Sequence, residues 1–173
     1  MENHQLINQT SGKVNYVTPP HIIEAARATM GGIELDPASS MAANKIVQAK
    51  RFFSVYQNGL ELQWDAESVW LNHPYSRKEN KLWIEKAVKE FNENRAIELC
   101  MITYAATSEL WFCPLMRFPI CFLHKRVSFL HEDGTVVRGN TKGSCVTYMG
   151  NDIEAFALHF LKLGTVMVPE TYL

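Results

Sequence analysis

A chain of 173 residues with 47% hydrophobic and 11% aromatic residues has enough material for one domain with a sizeable core, and this composition excludes an intrinsically disordered chain. A net charge of −1 excludes a strongly basic, nonspecific nucleic-acid binder while leaving room for a local basic face on a neutral body. The four cysteines are scattered without a CxxC pair, no apolar run approaches the about 20 residues of a membrane span, and the polar start lacks a signal-peptide core, so the expectation is a cytoplasmic protein with reduced thiols, no metal site and no membrane partner.

Residues 1–15 are polar and aperiodic and read as a flexible tail, leaving residues 16–173 as a single domain. Thr18-Pro19-Pro20 reads as a helix start, with Thr18 as cap and Pro19 at the first helical position. That helix runs to about residue 30, where Gly31-Gly32 ends it. Residues 33–36 form a short strand ending in an acid, 41–49 a helix and 51–55 a strand, and Gln57-Asn58-Gly59 is turn chemistry. Residues 68–71 form a buried strand that leads straight into Asn72-His73-Pro74-Tyr75. Residues 78–93 give an amphipathic helix with Ile84, Ala87, Val88 and Phe91 on one face. A core strand at 96–102, a short helix around 107–115, strands at 119–123, 126–130 and 144–149, a helix at 152–161 and a strand at 165–168 complete the chain. The alternation of strand and helix through the first two thirds predicts an α/β fold, mostly a parallel sheet with helices on both faces. In such sheets ligands bind beyond the carboxyl ends of the strands, which is where Asp36 and Asn72 fall.

Two constellations carry chemistry. In Leu35-Asp36-Pro37-Ala38-Ser39-Ser40 a strand ends in an acid, followed by a turn of small residues and a helix start. Small residues admit a cofactor close to the backbone, and a helix start offers free N–H groups; an ordinary turn capped by Asp36 fits equally well. In Asn72-His73-Pro74-Tyr75 an amide, a proline and an aromatic follow a strand end. The lone pair of an exocyclic ring amine is delocalised, and two acceptors on its hydrogens push the nitrogen toward a tetrahedral, reactive form. The Asn72 side-chain oxygen and the residue 73 carbonyl suit that task, with Tyr75 stacking on a flipped-out base; a structural loop that packs Tyr75 into the core is the competing reading.

Taken together, Tyr16-Val17-Thr18-Pro19-Pro20, Leu35 to Ser40, Asn58-Gly59-Leu60, Trp64, Asn72-His73-Pro74-Tyr75-Ser76 and Arg126-Val127-Ser128-Phe129 resemble, in order and spacing, the blocks of the small phage-type DNA N6-adenine methyltransferases (Dam-like) across about residues 16–130. The resemblance implies a Rossmann-like S-adenosylmethionine-dependent methyltransferase fold acting on DNA, in a bacterial host cell and in the setting of DNA methylation or restriction-modification. It implies a donor site built from Tyr16, Thr18, Pro19, Asp36, Pro37, Ala38 and Ser39 with help from Asn58, Gly59 and Leu60. It also implies that the catalytic residues are Asn72, His73, Pro74 and Tyr75. With little room for a separate recognition domain, DNA contacts are expected from the loops after residue 76 and around 124–143, with Ser76, Arg77, Lys78, Lys81, Lys125, Arg126, Arg138 and Lys142 as candidates; a solvated surface charge is the competing reading for each basic residue.

Three residues depart from the family blocks. His73 stands where the family has proline, Asn58 where it usually has aspartate, and Ser39 where it has alanine. A Pro-Pro pair fixes the acceptor carbonyl, whereas His73 keeps only the extended bias that Pro74 imposes, so reduced or altered activity is expected. The alternatives are N4-cytosine methylation, which the same acceptor pair would serve, and a methyltransferase-like binding protein in phage–host conflict that has lost turnover. A dinucleotide-type Rossmann module is disfavoured because no GxGxxG turn is present.

Overall fold

The computed structural model describes residues 16–76 and 78–172, so the expected tail at 1–15 and the DNA-contact candidate Arg77 lie outside the described residues. Helix α1 (Pro20–Thr29) is followed by β1 (Leu35–Asp36), α2 (Met41–Val47), β2 (Arg51–Phe52), β3 (Ala66–Leu71), α3 (Glu79–Asn92) and β4 (Ala96–Tyr104). A 3-10 turn (Cys113–Arg117), β5 (Ile120–Leu123), β6 (Ser144–Met149), α4 (Ile153–Phe160), β7 (Gly164–Met167) and a 3-10 turn (Glu170–Tyr172) complete the order. No helix among the described residues is long and apolar enough to cross a membrane.

One sheet of seven strands in the order β2-β1-β3-β4-β6-β5-β7 organises the chain. The four strands β2, β1, β3 and β4 are parallel, as the strand and helix alternation predicts. Every ladder beyond β4 is antiparallel, which corrects the expectation of a mostly parallel sheet. The connection from β5 to β6 carries no crossover helix, and a parallel neighbour requires one. Strands β6 and β7 flank β5 on its two sides, and α4 spans between them.

Side chains alternate across the sheet and divide the core into two layers. Ile22, Ile23 and Ala26 of α1 and Phe156 and Phe160 of α4 pack with Trp70, Cys100, Ile102, Val146 and Tyr148 on one face. Trp83, Ile84 and Ala87 of α3, with Leu115, pack with Leu35, Val69, Leu71, Leu99 and Met101 on the other. The period-2 alternation of β4, with Leu99 and Met101 against Cys100 and Ile102, is what a strand buried on both faces produces.

Three local expectations are corrected. Pro19, not Thr18, occupies the cap of α1 and Pro20 its first turn, because proline's fixed φ suits the first turn and its missing N–H is no loss there. The segment 107–115 forms turns that lead into the 3-10 turn, whose start carries Pro114. Residues 126–130 form no strand: Leu130 makes isolated antiparallel bridges to Val17 and Val136, and Val127 and Phe129 are buried from a loop. That loop, residues 124–143, reaches back across the chain to the segment that precedes α1.

Candidate active site

Strands β1 and β3 are parallel neighbours, with Leu35 opposite Val69, so the Asp36 turn and the Asn72 loop emerge side by side at their carboxyl ends. Between them lies a cleft with about 470 Å³ of empty space, counting the part open to solvent. Tyr16 and Thr18 wall it on one side, the Asp36, Ala38 and Ser39 turn on another, and Asn72 to Tyr75 on a third, with Trp70 on its wall as well. Segments separated by up to 59 positions, Tyr16 to Tyr75, thus meet at one sheet edge.

Asn72 is the best-defined group in the cleft. Its Nδ2 donates to the Tyr16 carbonyl at 2.7 Å. Because that carbonyl can only accept, the amide orientation is fixed and Oδ1 is left as a free acceptor, buried and with no partner. His73 is buried, and its Nδ1 lies 2.9 Å from the Pro74 carbonyl. Burial pushes the imidazole down to about 4, against the pull of the Pro74 carbonyl and Glu79, so the ring is neutral at pH 7 with its proton on Nδ1. The ring lies parallel to Trp83 of α3, with centroids 6.3 Å apart and planes 9° apart, and meets the edge of Tyr75. The Pro74 carbonyl also accepts from the Ser76 N–H at 3.1 Å, which makes the loop a compact, internally tied turn. Tyr75 donates its hydroxyl to the Ile102 carbonyl at 3.1 Å and packs its ring 4.5 Å from Tyr104 and 5.9 Å from Phe129.

In the Asp36 turn one carboxylate oxygen accepts from the Ala38 N–H at 3.2 Å. Burial raises the carboxyl to about 7, only partly offset by the nearby Ser39 hydroxyl and the Ala38 amide. The turn is tied to β2 by the Ser39 N–H donating to the Phe53 carbonyl and the Phe53 N–H to the Asp36 carbonyl, both at 2.9 Å. Pro19, Pro37, Asn58, Gly59 and Leu60 do not reach the cleft wall. Instead the Asn58 turn backs the Asp36 turn: Gly59 packs so closely that a Cβ there would overlap the Pro37 carbonyl oxygen. Asn58 adopts a φ of 54°, a left-handed conformation that asparagine tolerates, and its side chain bonds Glu61 and the Leu60 N–H. Behind it the Trp64 indole donates to the Gly59 carbonyl at 2.9 Å, and the Trp64 N–H to Glu90 at 3.0 Å. Burial alone would raise Glu90, but hydrogen bonds from Arg95, Lys86 and Trp64 hold it at about 2.

The remaining candidates are dispersed. The Ser76 hydroxyl accepts the Glu79 N–H at 3.1 Å, which is a helix-start task for α3. Lys78, Lys125, Arg126, Arg138 and Lys142 are exposed, and Lys81 pairs with Glu85 at 3.6 Å on the surface of α3. Lys142 places Nζ 4.9 Å from the Tyr104 ring centre, beside Tyr75. The 124–143 loop closes on the cleft through the Val17 to Leu130 bridge and a 2.8 Å hydrogen bond from Ser40 to Glu132.

Sequence reasoning did not single out Trp70, Tyr104 or Glu132, and it gave Phe129 only as part of a family block. Trp70 had an available signal, since it lies two residues before Asn72 at the end of β3, the spacing at which an extended chain returns to one side. The others lie near the site through cross-strand pairing and loop closure, which local spacing does not encode. The family model described as DNA N-6-adenine-methyltransferase (Dam) matches residues 8–159 of this chain. No curated protein matches it.

Proposed function

The chain belongs to the DNA N-6-adenine-methyltransferase (Dam) family, and from that premise we propose that it transfers a methyl group from S-adenosylmethionine to the exocyclic N6 of adenine in DNA. We read residues 16–173 as one Rossmann-like methyltransferase domain with the cleft between β1 and β3 as its centre. The observation that carries the reading is the free Asn72 Oδ1, a buried acceptor with its amide orientation fixed by Tyr16, next to a loop that carries Tyr75.

The cleft fits the methyl donor. Thr18, Ser39 and Trp70 line it, and each carries a buried side-chain polar atom without a partner, the kind of group a polar ligand would satisfy. Tyr16, Thr18, Asp36, Ala38 and Ser39 would hold it, and the Asn58 turn would keep the Asp36 turn in place. When bound, the donor supplies an activated methyl group on a sulfonium centre.

The protein's own residues supply position and electronics. Asn72 Oδ1 accepts one hydrogen of the target amine, and the residue 73 carbonyl accepts the other, which draws the nitrogen toward a reactive geometry. The flipped base lies against Tyr75, whose ring is fixed at its far end by the Ile102 carbonyl and supported by Tyr104 and Phe129. Alignment in the cleft then contributes most of the acceleration. His73 turns its ring toward Trp83 and ties itself to the Pro74 carbonyl, so it acts on the loop's conformation and not on the base. Lys125, Arg126, Arg138 and Lys142 would meet phosphates on either side of the flipped nucleotide.

The test is transfer of labelled methyl to unmethylated DNA with nucleoside analysis. Label in N6-methyladenine is expected, and Asn72→Ala should lower turnover by about a hundredfold, the scale of losing one preorganised hydrogen bond to the reacting group. Label in N4-methylcytosine would keep the mechanism and change the base. Absence of both label and donor binding would overturn the proposal.

A further inference from the structure

We infer that Trp70 is a binding residue for the methyl donor, its indole N–H donating a hydrogen bond to an acceptor atom of that molecule; the inference rests on the cleft being the donor site. Trp70 is fully buried in β3, yet its Nε1 has no hydrogen-bond partner. Indole nitrogen is a donor only, so nothing but an acceptor can satisfy it. Native interiors seldom leave such a group alone, and where they do an unseen ligand or water is the usual reason.

The location supports a ligand. Of the eight buried side-chain polar atoms without partners among the described residues, five belong to residues that line this one cleft: Thr18, Ser39, Trp70, Asn72 and His73. The other tryptophan whose indole is buried at the site's rear, Trp64, donates to the Gly59 carbonyl at 2.9 Å, so an unsatisfied indole is not a general feature of this core. Trp70 and Asn72 both line the cleft and stand two positions apart at the end of β3, about 7 Å at the rise of an extended chain. A molecule that accepts from Trp70 therefore lies within its own length of the acceptor that faces the target amine, as a methyl donor must.

The experiment uses the full chain labelled with 15N and S-adenosylhomocysteine, the demethylated product, as a ligand that does not turn over. The four tryptophans give four indole N–H signals, and Trp70→Phe identifies the one that matters, with nuclear Overhauser contacts as the second route should that variant not fold. On titration the Trp70 indole proton should move downfield and its exchange with solvent should slow, while the Trp64 signal holds still. Calorimetry should show about tenfold weaker binding to Trp70→Phe, the cost of one hydrogen bond to a bound ligand. Calorimetric binding with an unmoved Trp70 signal would overturn the role of Trp70 and leave the donor site in place. Absence of any binding to the wild-type chain would overturn both.

Discussion

Asp36 offers a perturbation whose two effects run in opposite directions. Its carboxyl is buried and raised from 3.8 to about 7. Between those values the folded protein holds a proton that the unfolded chain has released. The favourable contribution of protonation is therefore present below pH 3.8 and lost as pH rises through 7. Asp36→Asn retains an acceptor for the Ala38 N–H and removes the ionisation. Relative to the wild type it should gain about 0.6 kcal/mol at pH 4, about 1.7 kcal/mol at pH 5 and about 4 kcal/mol at pH 8, since each pH unit crossed between the two values is worth about 1.4 kcal/mol. The same change should weaken binding of S-adenosylmethionine, because the Asp36 turn walls the proposed donor cleft. Urea unfolding of both proteins from pH 4 to 8 measures the first effect, and calorimetric titration at pH 8 the second. A stability difference that stays flat across this range would refute the burial argument. A stabilised variant that binds the donor as well as the wild type would refute the assignment of Asp36 to the site.

Other residues test neighbouring steps of the same reasoning. Gly59→Ala forces a Cβ into the Pro37 carbonyl, so a melting experiment should show a loss of about 2 kcal/mol and calorimetry a weaker donor site. Glu90→Gln leaves Lys86 and Arg95 without their buried counter-charge and should cost about 3 kcal/mol in urea unfolding at pH 7. His73 is held at about 4 against 6.5 in the unfolded chain, so as pH falls from 6.5 to 4 the unfolded state alone gains its proton and stability drops by about 3 kcal/mol. His73→Pro should remove that acid-side slope, seen as a flatter stability profile over the same range. Lys125→Ala and Arg126→Ala should each weaken DNA binding at every sequence and lower the salt dependence by about one counterion, measured by anisotropy across a salt series.

The parallel half of the sheet was legible because its strands are set off by clear punctuation: Gly31-Gly32 before β1, Asn58-Gly59 before β3, and a long amphipathic run between β3 and β4. The antiparallel half was legible as strands but not as a topology, since strand direction depends on which neighbour accepts each edge. The segment 126–130 shows the limit most clearly. Its alternation of Arg126, Val127, Ser128 and Phe129 is real, and Val127 and Phe129 do point inward. Alternation reports which residues face a core; it does not report a ladder partner, and beyond the two bridges of Leu130 this segment has none.

The site followed a similar division. An amide at a strand end beside a proline and an aromatic stands out in one dimension as a candidate, and the structure brings Asn72, Asp36 and Thr18 to the same cleft. The Asn58, Gly59 and Leu60 block reads identically in sequence yet stands one layer back, holding the Asp36 turn through Gly59 and being held in turn by Trp64 and Glu90. Spacing cannot separate a residue that touches a ligand from one that supports the residue that does. Hydrogen-bond satisfaction can separate them: Trp64 has its acceptor within the protein, and Trp70 does not. Five of the eight buried side-chain polar atoms without partners among the described residues belong to residues that line the one cleft, and there an unpartnered group is most readily completed by a bound molecule.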